Sequence, residues 1–157
     1  MIGIYGLRYE TVVIITVVMI ALWYDGQEKM PAKAWKTANA LGVLCELGLI
    51  WYFTVAGRER TDQHTFVFFA ERSNEFYREM LMNAFLYVPL GLCLTVFTRG
   101  WSILLALCLS LGIESWQYFG GLGVAQGTDV IMNTIGCTVG AVPFFLRHIL
   151  QKNACKR

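Results

Sequence analysis

Five polar side chains that can do chemistry lie at the ends of three apolar segments. Asn83 opens the first segment, Glu114 and Gln117 close the second, and Asp129 and Asn133 open the third. Consecutive membrane helices run antiparallel, so these three ends lie at the same side of a bilayer. Ionisable groups at membrane depth are costly and usually mark a functional site. The pattern therefore predicts one polar layer, with two carboxylates as acid or base and three amides that bind polar groups.

Helical spacing supports this layer. Ser110, Glu114 and Gln117 follow one another at i, i+4 and i+7 and so share one face of a helix, and Asp129 and Asn133 are likewise four residues apart.

A purely structural role is the alternative for each carboxylate. Thr128 can cap the start of the last helix, which would leave Asp129 in the first turn, where the helix dipole favours an anion. Glu114 can bond to Gln117 or Asn83 simply to join helices. Polar contacts between membrane helices contribute only about 0.6 kcal/mol on average, so joining helices is a weak reason to bury a carboxylate.

The composition places the chain among integral membrane proteins. Of its 157 residues, 56% are hydrophobic and 15% are charged, with a mean hydropathy of +0.50. A spanning helix needs about 20 mainly apolar residues at ~1.5 Å rise each. Five segments reach about this length, some of them only when their polar ends are included. We therefore predict an all-α bundle of five transmembrane helices. The apolar runs cover roughly residues 11–24, 37–57, 80–98, 101–113 and 130–145.

Several other classes are disfavoured. The net charge is only +2, and the sequence contains no basic stripe interleaved with aromatic residues. Both observations argue against nucleic acid as a partner. No cleavage site follows the first apolar run, so we expect an uncleaved anchor. The five cysteines lack ligand-like spacing, and His64 and His148 lie far apart, so we predict neither a disulfide framework nor a metal site nor a cofactor.

The links between the helices suggest an orientation. The longest link, residues 58–79, contains an apolar patch at 66–70 that is too short to span and should lie at the membrane interface or against the bundle. Eight Lys and Arg fall on one face and five on the other, which predicts a cytoplasmic C-terminus and an extracytoplasmic polar layer. The first group is Lys29, Lys33, Lys36, Arg99, Arg147, Lys152, Lys156 and Arg157, and the second is Arg8, Arg58, Arg60, Arg72 and Arg78.

Three further residues stand out inside the apolar segments. Gly136 and Gly140 form a small-xxx-small face on the last helix, which favours close packing. Glu46 lies near the middle of the second helix, where it is either a separate polar contact or a protonated acid.

Three stretches together resemble the VanZ-like family of small bacterial membrane proteins. They read REMLMNAFLYVPLGLCL, SLGIESWQYFGGLG and TDVIMNTIGCTVG, in this order. The resemblance covers about residues 41–145. The matching positions are Asn83, Pro89, Gly91, Glu114, Gln117, Phe119, Asp129, Asn133, Thr134 and Gly136.

The chain departs from this family pattern in one respect. Many members carry an Arg shortly before the aspartate and a second acid beside it, where this chain has Gly123 and Thr128. This departure weakens the prediction that an Arg on a helix binds a phosphate here, unless Arg78 takes that role from the preceding loop.

The resemblance implies a multi-pass protein of the cell membrane that acts at the cell envelope and influences susceptibility to glycopeptides of the teicoplanin type. It divides the chain into an added anchor and link at 1–36, a four-helix domain at 37–147 and a basic tail at 148–157. Two hypotheses follow. Either the layer binds an envelope lipid or lipid-linked precursor through Asn83, Gln117, Asn133 and Arg78, or it processes such head groups with Glu114 or Asp129 as acid or base.

Overall fold

Five helices form almost all of the structure. The computed structural model describes residues 2–56, 64–68 and 73–154. The elements in chain order are α1 (Ile2–Lys29), α2 (Ala32–Thr54), β1 (Thr65–Val67), α3 (Asn74–Thr98), α4 (Trp101–Gly120), β2 (Val124–Gln126) and α5 (Gly127–Ala154). The predicted all-α bundle is confirmed, with one short pair of strands that the sequence did not indicate.

The helices extend beyond the apolar runs that predicted them. Helix α3 begins at Asn74, so assigning residues 74–79 to a loop was wrong. Ser73 caps this helix, because its hydroxyl accepts a hydrogen bond from the Phe76 amide at 3.1 Å. Only residues 30 and 31 separate α1 from α2, whereas the sequence predicted a link over 25–36. Charged side chains can reach water from a helix end, so they do not mark where the helix stops.

Four helices are long and apolar enough to cross a membrane, namely α1, α3, α4 and α5. Helix α2 is the fifth member of the bundle, and it carries Asn39 and Glu46 within its apolar stretch. Both polar side chains are buried against the rest of the protein. The exposed positions of α2, such as Leu41 and Leu44, are apolar.

Helix α3 is the central element and contacts each of the other four helices. Its contact with α5 is close because glycines line it. A methyl group added to Gly136 or Gly140 would overlap the backbone oxygen of Ala84 or Val88, and one added to Gly91 would overlap that of Cys137. The small-residue spacing on α5 predicts this close approach.

The first two helices form an antiparallel hairpin. The indole nitrogen of Trp23 donates to Asn39 Oδ1 at 3.0 Å, and Trp23 also packs against Trp35 with ring centroids 5.4 Å apart. This bond satisfies both polar groups inside an apolar region, so the hairpin docks in one register.

Two short strands lie at the end of the bundle where α2 and α4 end and α3 and α5 begin. We call this the layer end, because the predicted polar layer lies there. Strands β1 and β2 pair in parallel, with Phe66 opposite Ala125. The ring of Phe68 lies against Gly127 at the start of α5. Strand pairing thus anchors the predicted apolar patch, although Phe66 and Phe68 remain more than half exposed. Residues 69 and 70 of that patch lie outside the described residues.

Five alternating helices predict that the two termini lie on opposite sides of the membrane. On a background without the native cysteines, a single cysteine placed at Gln126 should react with an impermeant reagent from the side opposite to a single cysteine restored at position 155, which lies outside the described residues. Labelling of both positions from one side would contradict five spanning helices.

Candidate functional site

Glu114 lies in the last two turns of α4 and is 6% exposed. Its Oε2 accepts a hydrogen bond from the backbone amide of Gln126 at 2.7 Å. A carboxylate of a membrane helix therefore binds strand β2 directly. This bond positions the segment that leads into α5.

Gln117 is one turn further along α4 and is 1% exposed. Its Nε2 donates to the backbone oxygen of Thr54 at 2.9 Å. Thr54 ends α2, and the last carbonyls of a helix have no partner within the helix, so Gln117 satisfies one of them. Because the Thr54 carbonyl oxygen can only accept a hydrogen bond, the amide nitrogen of Gln117 must point toward it. Gln117 Oε1 then points the other way and can accept a further hydrogen bond.

Asn133 joins α5 to α4. Its Nδ2 donates to Ser110 Oγ at 2.7 Å, and both side chains are buried. Asp129 lies one turn earlier and is half-buried in the first turn of α5. The hydroxyl of Thr128 donates to Gln126 Oε1 at 3.4 Å, and α5 already begins at Gly127, so Thr128 lies inside the helix and does not cap it as the structural alternative suggested. Asp129 does lie in the first turn, as that alternative predicts.

Helix α3 contributes Asn83, which is 8% exposed, and Tyr87, which is fully buried. The Tyr87 hydroxyl lies beside Ser110 of α4 and is buried without a hydrogen bond of good geometry. The sequence reasoning missed Tyr87. Its position four residues after Asn83, on the same helix face, was the available signal.

Arg78 is placed differently from the other predicted site residues. It lies near the start of α3 at the layer end, and its side chain is exposed. It lies five positions before Asn83, so the two side chains point from different faces of the helix. Arg78 therefore belongs to the rim of this end rather than to its buried interior.

We define the polar layer as the buried or half-buried polar side chains at this end. They are Asn83, Tyr87, Ser110, Glu114, Gln117, Asp129 and Asn133. Three of their buried atoms have no hydrogen-bond partner among the described residues, and these atoms are Tyr87 Oη, Gln117 Oε1 and Asn133 Oδ1. Such orphaned groups are rare in proteins and call for an explanation.

The two histidines lie at opposite ends of the bundle. His64 Nδ1 is 2.6 Å from the backbone oxygen of Tyr118, whereas His148 lies in the last part of α5. Within the described ranges, no three His, Cys, Asp or Glu residues lie close enough together to hold a metal ion.

The fold and the layer define a multi-pass helical membrane protein with a buried polar site at one end. The sequence model of the VanZ/LLP1 family matches residues 11–148, so the chain belongs to this family. The match begins within α1. The division of the chain at residue 36 stays a prediction.

A curated relative is Protein VanZ from Enterococcus faecium. The two sequences are 35% identical over 82 residues, which cover 48% of this chain and 51% of that protein. The chain thus spans about half the length of the curated relative it matches. No solved structure matches the chain.

Proposed function

We propose that this protein binds the polar head group of an envelope lipid, or of a lipid-linked envelope precursor, in the polar layer. Binding would alter the exposure of that lipid and thereby the susceptibility of the cell to glycopeptides of the teicoplanin type. The proposal rests on the geometry of the layer together with membership of the VanZ/LLP1 family. It includes an extracytoplasmic layer and a cytoplasmic C-terminus.

The observation that carries the proposal is the set of three orphaned atoms on three different helices. Tyr87, Gln117 and Asn133 belong to α3, α4 and α5, respectively. A buried polar group without a partner costs about 1–3 kcal/mol, and apolar residues would pack helices without that cost. A bound head group that pairs with these atoms would offset the cost of burying them.

The free atoms also indicate which head groups fit. The amide nitrogens of Gln117 and Asn133 already donate within the protein, so these residues present oxygens. The carboxylates of Glu114 and Asp129 lie in the same layer, and that of Glu114 already accepts the Gln126 amide. Hydroxyl or amino groups, as in a sugar or an amine head group, match acceptors better than phosphate oxygens do. A phosphate would instead suit the exposed guanidinium of Arg78 at the rim.

An enzyme is the alternative, with Glu114 or Asp129 as general acid or base. The favouring observation is that Glu114 is almost fully buried and is held in place by the Gln126 amide. A positioned, buried carboxyl group can transfer a proton to or from a substrate.

The test is to replace Glu114 with glutamine and Asp129 with asparagine. Glutamine can still accept the Gln126 amide, so the charge is lost while the hydrogen bond and the fold remain. We expect each variant to insert into the membrane and to unfold at the same temperature as the wild type. Each should nevertheless lose the proposed effect of the protein on glycopeptide susceptibility. For Glu114→Gln we also expect native mass spectrometry of the purified protein to show less retained lipid.

Glu75→Gln is the matched control, because Glu75 is an exposed acid in the first turn of α3 at the same end. It should leave both phenotype and lipid content unchanged. Loss of the phenotype with full lipid retention in both layer variants would favour the enzyme. Wild-type phenotype and lipid content in both layer variants would refute a functional layer.

A further inference from the structure

A cleft of about 330 Å³ lies at the opposite end of the bundle from the polar layer. It is bounded by the end of α1, the start of α2 and the last part of α5. The lining residues are Gln27, Met30, Ala32, Trp35, Phe144, Arg147 and His148. We propose that this cleft binds the phosphate-bearing head group of an anionic phospholipid.

The polar lining residues suit a phosphate. Arg147, His148 and Gln27 supply a guanidinium, an imidazole and an amide, and no Asp or Glu is among the lining residues. Arg147 and His148 are exposed, and neither forms an ion pair within the described part of the chain. A guanidinium can bind two phosphate oxygens at once, and this geometry favours phosphate over a halide or a neutral ligand.

The apolar lining residues suit a lipid rather than a free phosphate. Met30, Trp35 and Phe144 form an apolar wall directly beside the cationic groups. This wall can contact the glycerol backbone and the first methylenes of an acyl chain while the phosphate contacts Arg147. A soluble anion would leave the wall uncovered.

The depth of the cleft agrees with a head-group position. Arg147 lies 20 residues after Gly127, the first residue of α5. At ~1.5 Å per residue this separation is about 30 Å, the thickness of the hydrocarbon core. With the start of α5 at one membrane surface, Arg147 lies at the other.

The charge of this end adds attraction for an anionic leaflet. Among the described residues it carries six cationic side chains and two acidic ones, and one acid, Asp25, is already paired with Lys29. The cations are Lys29, Lys33, Lys36, Arg99, Arg147 and Lys152, and the acids are Asp25 and Glu28. Clustered basic residues next to a membrane attract anionic lipids, and basic pockets between helices bind their head groups.

The experiment is native mass spectrometry of the full chain in detergent, titrated with dioleoyl phosphatidylglycerol and, separately, dioleoyl phosphatidylcholine. We expect preferential retention of phosphatidylglycerol. Arg147→Gln should lower its apparent affinity about tenfold, because a charge-assisted bond to phosphate is lost. Lys152→Gln is the matched control, since it removes the same charge from an exposed position on the same helix, outside the cleft. It should change the affinity less than twofold.

Three outcomes would overturn the proposal. One is equal retention of the two lipids, and another is an equal loss of affinity in Arg147→Gln and Lys152→Gln. The third is displacement of phosphatidylglycerol by millimolar inorganic phosphate in the wild type, which would assign the cleft to a soluble anion. Glu75→Gln should leave phosphatidylglycerol affinity unchanged, because Glu75 is an exposed acid at the opposite end of the bundle from the cleft.

Discussion

Replacing Gly136 with alanine is expected to break the contact between α3 and α5 and to destabilise the protein by about 3 kcal/mol or more. The added methyl group would overlap the backbone oxygen of Ala84, and it would lie 3.0 Å from the Ala84 Cα. Backbone atoms of a central helix cannot turn aside as a flexible side chain can. The two helices would have to separate along their whole contact.

Gly140→Ala should have a similar effect, because its methyl group would overlap the backbone oxygen of Val88. The controls are Gly112→Ala on α4 and Gly48→Ala on α2, where a methyl group would meet no atom within 4 Å. Alanine favours a helix over glycine by up to about 1 kcal/mol, so the controls should be as stable as the wild type or slightly more stable.

Thermal unfolding in detergent, with size-exclusion chromatography to detect aggregation, provides the measurement. Equal melting temperatures for Gly136→Ala and Gly112→Ala would show that the helices of the folded protein are not in such close contact.

Replacing Glu46 with methionine is expected to stabilise the protein by about 1–3 kcal/mol. Glu46 is 1% exposed, and neither carboxyl oxygen has a hydrogen-bond partner in the part of the chain that the structure describes. It lies on the buried face of α2, one turn after Gly42, which packs against Cys93 of α3. Methionine has a similar length and no polar group to desolvate.

Glu46→Gln is the matched control, because it keeps the shape and the buried polar atoms and should therefore gain little stability. The measurement is the shift in melting temperature of each variant in detergent. If Glu46→Met unfolds at a lower temperature than the wild type, the carboxyl group has a stabilising partner. If Glu46→Met is more stable yet loses the glycopeptide phenotype, the carboxyl group is retained for function at a cost in stability.

The sequence by itself predicted the class of the protein and much of its packing. The absence of charges over long runs predicted membrane helices, because a charge inside a bilayer is costly. The spacing of Gly136 and Gly140 predicted a close helix contact, and α5 uses it against α3. The apolar runs 80–98 and 101–113 also predicted a break at residues 99 and 100, and α3 ends and α4 begins on either side of it.

Helix ends were less predictable, since they depend on capping and on where long side chains reach water. Residues 74–79 look polar enough for a loop, yet the Ser73 cap starts α3 there. The pairing of β1 with β2 was also not predictable, because three-residue strands far apart in sequence show no pattern of their own.

Within the polar layer, the sequence named Asn83, Glu114, Gln117, Asp129 and Asn133 through their positions at helix ends. Only the tertiary structure decided what their atoms contact. Glu114 binds the Gln126 amide and Gln117 binds the Thr54 carbonyl, which are backbone groups that any residue type would carry. Backbone partners leave no trace in residue identity, so they depend on how the helices are placed in space. The same reason kept the Arg147 cleft out of the sequence-based predictions, because residues of α1, α2 and α5 line it together.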